Sequence, residues 1–249
     1  MINLNHILGY ENLYVFQDSN FFSFSLDSII LANYTTIRLR DKKIIDFCTG
    51  NAVVPLILSR RTNKCIEGIE LQTVIYNLAI KSINYNNLNK QIKVYNEDVK
   101  SFCSIADNQS KYDLVLCNPP YFKINNKCKT NLCMEKTIAR HEIMINLADI
   151  CSCAKKILKD NGCFSLIHRT DRLMEILELL RQNNLEPKSI KFIYESIDCS
   201  SNLILIQSQK NGKVGLKVEA PLILFNKDGS ITDEYSRLQT EVFNDTKEL

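Results

Sequence analysis

Four consecutive residues, Asn118-Pro119-Pro120-Tyr121, carry the clearest chemical pattern in this chain of 249 residues. They follow an apolar run over residues 112–117, which is typical of a buried strand. Neither proline can continue a strand, because each lacks an N–H group and has a fixed φ, and Pro119 also keeps Asn118 out of the α-helical region. We therefore predict a rigid, extended loop at the end of a central strand, where open α/β sheets bind their ligands.

Such a loop suits chemistry on a planar amino nitrogen, such as that of adenine or of a carboxamide. The lone pair of this nitrogen is delocalised, which makes it a poor nucleophile. The side-chain carbonyl of Asn118 and the backbone carbonyl of Pro119 can each accept one N–H hydrogen bond and favour a more pyramidal nitrogen. Tyr121 offers a ring for base stacking, worth about 1–3 kcal/mol per base. Without a second motif, the same residues could also form an Asn-Pro turn with a packing tyrosine, which is the less favoured interpretation.

A second pattern lies upstream of this loop. Residues 43–48 predict a buried strand, residues 49–52 a turn, and residues 53–59 the start of a helix. A strand, a glycine turn and a helix build a nucleotide-type binding element, because small residues let the backbone approach a ligand. Glu70 ends the next predicted strand about 20 residues after Gly50, a spacing at which an acid can accept hydrogen bonds from both ribose hydroxyls.

Both patterns resemble motifs of the amino-group methyltransferases that use S-adenosylmethionine. Residues 46–52 resemble their Asp-x-x-x-Gly-x-Gly motif, with Ala52 in place of the second glycine, and residues 118–121 resemble their Asn-Pro-Pro-Tyr motif. The order of the motifs and the short N-terminal segment Phe24-Ser25-Leu26-Asp27 resemble the bacterial tRNA(Val) adenine-37 N6-methyltransferase family. The resemblance covers roughly residues 10–230.

This resemblance implies S-adenosylmethionine as the cofactor and N6 of adenine in a tRNA anticodon loop as the methyl acceptor, since a loop base can be splayed out at modest cost. Because alanine is small, we expect Ala52 to keep cofactor binding with a looser or shifted backbone approach. The resemblance implies catalysis by Asn118, Pro119, Pro120 and Tyr121. It implies cofactor contacts from Phe24, Asp27, Asp46, Cys48, Thr49, Gly50, Asn51, Ala52, Glu70, Leu71, Asp98, Val99 and Asn118.

A basic segment follows the Asn-Pro-Pro-Tyr loop. Between residues 123 and 141, five lysine and arginine residues stand against Glu135 alone, which gives this segment a net charge of +4. Such a run is usually a solvated loop, but its position favours contact with phosphates or base edges. His141 need not act as a base, because an amino group can lose its proton after it attacks the methyl group. We expect RNA contacts from Tyr121, Lys123, Lys127, Lys129, Arg140 and His141.

Other functions share parts of this pattern. Enzymes that methylate a glutamine side chain of peptide release factors use a similar loop but carry a sizeable helical N-terminal domain, whereas only about 40 residues precede the first strand of the Rossmann-like core here. DNA adenine methylation usually needs a target-recognition domain, for which this chain has no room. Guanine N2-methylation of ribosomal RNA and a catalytically inactive RNA-binding module stay open as alternatives.

Composition is consistent with a cytoplasmic protein. The chain is 45% hydrophobic and 24% charged, with no signal-peptide pattern and no apolar run near the ~20 residues of a membrane span. The ten cysteines are scattered without metal-ligand spacing, so we expect reduced thiols and no metal. A net charge of +3 permits a nucleic-acid partner without requiring one, and it leaves monomer and dimer equally open.

The alternation of predicted strands and helices, followed by two late strands, predicts one Rossmann-like α/β domain with a mostly parallel central sheet and a late antiparallel strand. Within it we expect an N-terminal hairpin and helix over residues 1–40, with the hairpin at 10–25 and Asp27-Ser28 as the helix N-cap. The Rossmann-like core should span residues 41–210, including a helix over 135–158. A C-terminal hairpin and tail should occupy residues 211–249.

Overall fold

The computed structural model describes residues 1–19, 21, 26–120 and 145–240, with side chains as far as residue 238. Its strands are β1 (Ile2–His6), β2 (Tyr14–Asp18), β3 (Lys43–Phe47), β4 (Cys65–Glu70), β5 (Ile92–Asn96), β6 (Tyr112–Cys117), β7 (Leu158–Arg169), β8 (Leu185–Ser196), β9 (Leu203–Lys210), β10 (Lys217–Val218) and β11 (Leu222–Phe225). Its helices are α1 (Leu26–Tyr34), α2 (Val53–Leu58), α3 (Thr73–Tyr85), α4 (Val99–Ser104), α5 (Leu147–Ile157), α6 (Leu173–Gln182) and α7 (Asp233–Thr240).

The central sheet has the strand order β10-β8-β9-β7-β6-β3-β4-β5, with β11 also paired to β8. Strands β5, β4, β3, β6 and β7 are mutually parallel, whereas β9 runs antiparallel to both of its neighbours. The predicted fold class, a mostly parallel sheet with a late antiparallel strand, is therefore confirmed. Because the five parallel strands point the same way, the loops after them meet at one edge of the sheet.

Helices cover both faces of this sheet and define two hydrophobic clusters. The first cluster includes residues of the β1–β2 hairpin and of α1, α2 and α3, and the second includes residues of α4, α5 and α6. The apolar residues of strand β6 do not alternate with polar ones, because both faces of the strand are buried. Leu114 and Leu116 face the first cluster, while Val115 and Cys117 face the second, so successive residues are buried on opposite faces.

The N-terminal hairpin lies earlier in the chain than we predicted. Strand β1 pairs antiparallel with β2, and residues 7–13 connect them, so the hairpin spans residues 2–18 rather than the predicted 10–25. The connection is fixed because Ile7, Tyr10 and Leu13 are fully or almost fully buried in the first cluster. Helix α1 begins at Leu26, so residues 27 and 28 lie in its first turn and do not form the predicted N-cap.

Two further elements differ from the sequence prediction. Residues 135–144 of the predicted long helix lie outside the described part of the chain, and α5 begins after Asn146, which forms a capping box with Asp149. At the C-terminus, β10 and β11 both pair parallel with β8, and α7 follows. In the described residues, the expected hairpin is therefore reduced to a bridge between Phe225 and Ile231.

Across the ranges given above, no helix combines the length and the apolar character needed to cross a membrane.

Candidate active site

The predicted site residues of four strands converge on the carboxyl edge of the sheet. Asp46 lies near the end of β3, Glu70 ends β4, Asp98 follows β5, and Asn118 follows β6. The register pairs Phe47 with Cys117, so the turn after β3 lies beside the loop that begins at Asn118. The tertiary structure thus brings together the two motifs that the sequence separates.

The turn after β3 has an unusual backbone conformation. Cys48, Gly50 and Ala52 have φ angles of 54°, 59° and 69°, all in the left-handed region. For a residue with a Cβ atom, this conformation costs about 1–2 kcal/mol. Ala52 is also fully buried. The glycine that the motif usually has at this position therefore suits both the limited space and the positive φ, whereas alanine suits only the space.

Gly68 allows the turn to approach β4. The backbone N–H of Thr49 donates to the carbonyl of Ile69 at 2.9 Å. A Cβ atom at Gly68 would lie only 3.0 Å from both Oγ1 and Cγ2 of Thr49. Sequence reasoning missed this role, although a glycine inside a buried strand is the signal of a close backbone approach.

Glu70 is buried and holds the turn in place. Its Oε2 atom accepts a hydrogen bond of 3.0 Å from the N–H of Gly50, and Oε1 accepts one of 2.8 Å from the N–H of Gln72. Burial raises the pKa of Glu70, although these backbone hydrogen bonds oppose the rise. Because an ionised carboxylate has about four acceptor positions, each oxygen can accept one more hydrogen bond from a ligand hydroxyl.

Asp46 presents a buried acceptor without a partner. Its side chain is 1% exposed, and Oδ1 makes no hydrogen bond. Burial raises the pKa of Asp46 to about 8; the nearby Thr49 hydroxyl opposes the rise, and the negative charge of Glu70 adds to it. An unpaired buried carboxylate is costly, so a cation or an N–H donor bound at the turn would stabilise it. Gly50 leaves room for such a ligand, because a Cβ atom there would meet nothing within 4 Å.

Asp98 is the N-cap of α4. Its Oδ2 atom accepts hydrogen bonds from the N–H of Ser101 at 3.0 Å and from its hydroxyl at 3.2 Å. Capping alone explains an acid at this position, and it also fixes the carboxylate at the edge of the sheet. The side chain of Val99, another predicted cofactor contact, packs into the second hydrophobic cluster.

Asn96 was missed by the sequence reasoning. Its Nδ2 atom donates to the carbonyls of Glu70 and Leu71 at 2.9 and 3.0 Å. These hydrogen bonds tie the end of β5 to the end of β4. Asn96 therefore helps to position the main chain that carries two predicted cofactor contacts.

Asn118 is oriented by helix α1. Its Nδ2 atom donates a hydrogen bond of 3.0 Å to the hydroxyl of Ser28. Because the amide nitrogen faces Ser28, the carbonyl oxygen lies on the opposite side of the amide. Pro119 is buried, which holds its own backbone carbonyl in place. No sequence pattern indicated Ser28 as a partner of Asn118, although the neighbouring Asp27 was a predicted site residue.

Several predicted site residues lie outside the described part of the chain. They are Phe24, Tyr121, Lys123, Lys127, Lys129, Arg140 and His141. Their expected contacts with cofactor or RNA stay predictions. Among the residues that are described, no group of three or more histidine, cysteine, aspartate or glutamate side chains could hold a metal ion.

Solved structures with a similar fold are methyltransferases. A predicted O-methyltransferase, Atu636 from Agrobacterium tumefaciens, has a TM-score of 0.65 at 18% identity and covers 86% of this chain and 95% of its own. The TYW2 protein from Pyrococcus horikoshii, solved in complex with MeSAdo, has a TM-score of 0.58 at 12% identity, covering 85% and 72%. At these identities the likeness concerns the fold alone, which is that of the Rossmann-like methyltransferases.

Residues 19–150 match the model of a family described as RNA methyltransferase, and this chain belongs to that family. A curated relative from Parabacteroides distasonis, named tRNA1(Val) (adenine(37)-N6)-methyltransferase, is 23% identical over 203 residues, which cover 82% of this chain and 83% of the relative. A relative of the same name from Actinobacillus pleuropneumoniae serotype 7 is 26% identical over 232 residues, covering 92% and 93%. These findings confirm the resemblance that the motifs indicated.

Proposed function

We propose that this protein transfers a methyl group from S-adenosylmethionine to N6 of adenine in a tRNA, with adenine 37 of the tRNA(Val) anticodon loop as its target. The proposal depends chiefly on one juxtaposition, in which the carbonyls of Asn118 and Pro119 follow β6 directly beside the turn after β3. The curated relatives carry the name of this activity, and they match most of the chain. They therefore support the choice of substrate.

The residues at the turn fit S-adenosylmethionine. This cofactor supplies a methyl group activated by a sulfonium, and it also carries an ammonium group, a carboxylate and a ribose with two hydroxyls. Asp46 offers an unpaired buried oxygen for the ammonium group, and Glu70 has acceptor positions left for the ribose hydroxyls. The open space beside Gly50 lets the ligand approach the backbone, and Asp98 would face the adenine.

In the proposed reaction, Asn118 Oδ1 and the Pro119 carbonyl oxygen accept the two N–H groups of the target amine. This grip localises the lone pair on N6 and aims it at the methyl group. S-adenosylmethionine bound at the turn would supply the methyl group, and the electrons of its C–S bond would remain on sulfur as the new N–C bond forms. The methylated nitrogen then releases one proton to water. Ser28 contributes by holding the Asn118 amide in the orientation that presents its oxygen.

We further propose that Tyr121 stacks on the target base and that Lys123, Lys127, Lys129, Arg140 and His141 contact the anticodon stem-loop. A stacking ring and a basic segment are the means by which proteins hold a splayed base and its flanking phosphates. A tRNA substrate also favours a cytoplasmic location. One methyltransferase domain over residues 1–249 would carry both the cofactor site and these contacts.

Transfer of labelled methyl groups from S-adenosylmethionine to in-vitro transcribed tRNAs tests the function. Peptide release factor and ribosomal RNA serve as parallel acceptors, and products are digested to nucleosides or amino acids. We expect N6-methyladenosine in tRNA(Val), lost when base 37 is changed from adenine to guanine. Label in a release-factor glutamine or in N2-methylguanosine would favour the corresponding alternative.

Asn118→Ala separates catalysis from cofactor binding in the same assay. We expect this variant to lose most turnover while it still binds S-adenosylmethionine in a calorimetric titration. Loss of cofactor binding together with turnover would contradict the role assigned to Asn118. A wild-type protein that binds the cofactor but labels no acceptor would favour an RNA-binding module.

A further inference from the structure

Buried polar atoms without partners are few in the described part of the chain, and half of them belong to the turn after β3. Four such side-chain atoms occur there, and Asp46 Oδ1 and Thr49 Oγ1 belong to the turn after β3. A third, Nε2 of Gln17, lies on β2 in the N-terminal hairpin, and Gln17 is only 6% exposed. The fourth is Nε of Arg61, whose NH1 group donates to carbonyls at the end of α1. Because an unpaired buried donor or acceptor costs about 1–3 kcal/mol, the two atoms at the turn and the nearby donor on β2 point to a ligand.

Gln17 is held at the turn by the backbone of β2. The carbonyl of the preceding residue, Phe16, accepts a hydrogen bond of 3.3 Å from Nδ2 of Asn51, in the centre of the turn. The N–H of Phe16 donates to the hydroxyl of Ser82 on α3 at 2.9 Å. Strand β2 is therefore fixed between α3 and the turn, and Gln17 is covalently next to the contact with Asn51.

The oxygen of the Gln17 amide contacts strand β1. Its Oε1 atom accepts a hydrogen bond from Nδ2 of Asn5 on β1. With the oxygen facing Asn5, the nitrogen presents its two hydrogens elsewhere, and they meet no acceptor. Gln17 therefore offers donors, whereas Asp46 offers an acceptor.

A ligand that satisfies both groups must carry a positive donor and a negative acceptor. The α-amino acid end of S-adenosylmethionine has an ammonium group and a carboxylate on the same carbon. Residues 44–59, which contain the turn, include no lysine or arginine, so the turn itself offers a bound carboxylate only neutral donors. A carboxamide N–H is such a donor, and hydrogen bonds to a charged acceptor are the stronger kind.

We propose that Gln17 binds the carboxylate of the methionine end of S-adenosylmethionine through Nε2, so that the N-terminal hairpin forms part of the cofactor site. This inference rests on the assignment of that cofactor to the turn after β3. It assigns recognition of the amino-acid end to the hairpin and to Asp46, and recognition of the ribose to Glu70.

Two ligands separate the ends of the cofactor in a calorimetric titration. S-adenosylhomocysteine contains the amino-acid end, whereas 5′-methylthioadenosine has the same nucleoside and thioether sulfur but lacks that end. Gln17→Glu keeps the side-chain size and the acceptor for Asn5, but it places a negative charge where the donor was. We expect its Kd for S-adenosylhomocysteine to rise about 10- to 100-fold and its Kd for 5′-methylthioadenosine to change less than about threefold.

Two further variants serve as controls. Gln17→Met removes the donor without adding charge, and we expect the same selective loss at a smaller size. Asn5→Ala breaks the hairpin contact but keeps the Gln17 donor, so it reports on the hairpin itself. Equal weakening of both ligands by Gln17→Glu and Asn5→Ala would assign Gln17 a structural role and overturn the inference, as would unchanged binding of S-adenosylhomocysteine by Gln17→Glu.

Failure of the proposed function would look different. If the wild-type protein bound neither ligand, the cofactor assignment itself would be wrong. If Glu70→Ala weakened both ligands while Gln17→Glu weakened neither, the cofactor site would stand and only the role of Gln17 would be lost.

Discussion

The side-chain amide of Asn118 donates a hydrogen bond of 3.0 Å to the hydroxyl of Ser28, which joins the end of β6 to the first turn of α1. A carboxamide can present either its oxygen or its nitrogen in a given direction, and here the nitrogen faces Ser28 while the oxygen faces away from it. The acceptor that the proposed reaction requires from Asn118 therefore depends on a residue far away in the sequence.

Ser28→Ala should slow methyl transfer without changing cofactor affinity. Loss of one hydrogen bond of about 1 kcal/mol lets the Asn118 amide rotate, so we expect kcat to fall about three- to tenfold. Single-turnover methyl transfer and calorimetric titration of S-adenosylmethionine measure the two quantities. Ser28→Thr keeps the hydroxyl and should retain most activity; a Ser28→Ala variant with wild-type kcat would contradict the positioning role.

Glu70→Gln should weaken both cofactor binding and the fold. The two carboxylate oxygens accept from the N–H groups of Gly50 and Gln72, and an amide can replace only one of these acceptors. One buried N–H then loses its partner, which costs about 1–3 kcal/mol of the free energy of unfolding. Thermal denaturation with and without S-adenosylmethionine should show a lower Tm and a smaller stabilisation by the cofactor. An unchanged Tm would mean that Glu70 does not hold the turn.

Cofactor binding should release a proton below pH 8. Burial raises the pKa of Asp46 to about 8, so the free protein holds this carboxyl largely protonated at pH 7, with Glu70 as the nearby acid. The ammonium group of the cofactor favours the ionised form and lowers this pKa. Calorimetry at pH 7 in phosphate and in Tris, which differ in ionisation enthalpy, should reveal the released proton. Asp46→Asn should bind more weakly and show no such buffer dependence.

The same carboxyl should make the free protein less stable as the pH rises. A carboxyl group whose pKa is higher in the folded than in the unfolded state binds more protons when folded. Its stabilising contribution is complete below the unfolded pKa of about 4 and is lost as the pH approaches about 8. Urea denaturation between pH 5 and about 8 should show a decline in wild type that is smaller in Asp46→Asn. Equal slopes for the two proteins would contradict the raised pKa.

Gly50→Ala should reduce cofactor affinity more than stability. The added Cβ meets no atom within 4 Å in the free protein, so the main cost is the φ of +59°, about 1 kcal/mol. We expect Tm to fall by a few degrees, and the Kd of S-adenosylmethionine to rise at least about tenfold because the methyl group occupies ligand space.

Gly229→Ala is the matched control for this variant. Gly229 also has a positive φ, +81°, and open space around its Cβ position, but it lies in the turn before α7. It should lose similar stability and bind S-adenosylmethionine normally. Equal Kd values for the two variants would show that the space beside Gly50 is not part of the cofactor site.

The sequence by itself determined the class of fold and the order of the elements that carry the predicted site residues. Apolar runs such as residues 112–117 predict strands buried on both faces, and parallel strands necessarily bring their following loops to one edge. The convergence of Asp46, Glu70, Asp98 and Asn118 follows from this geometry, which needs only the order of the elements.

Only the tertiary structure decided which side chains contact one another across that edge. The hydrogen bonds of Asn118 with Ser28 and of Asn51 with Phe16 join residues that no local pattern relates. The position of the hairpin likewise depended on burial of its connection, which local turn signals do not report. The unpaired amide nitrogen of Gln17 is visible only when every neighbour is in place, because satisfaction of a hydrogen-bonding group is a property of its surroundings.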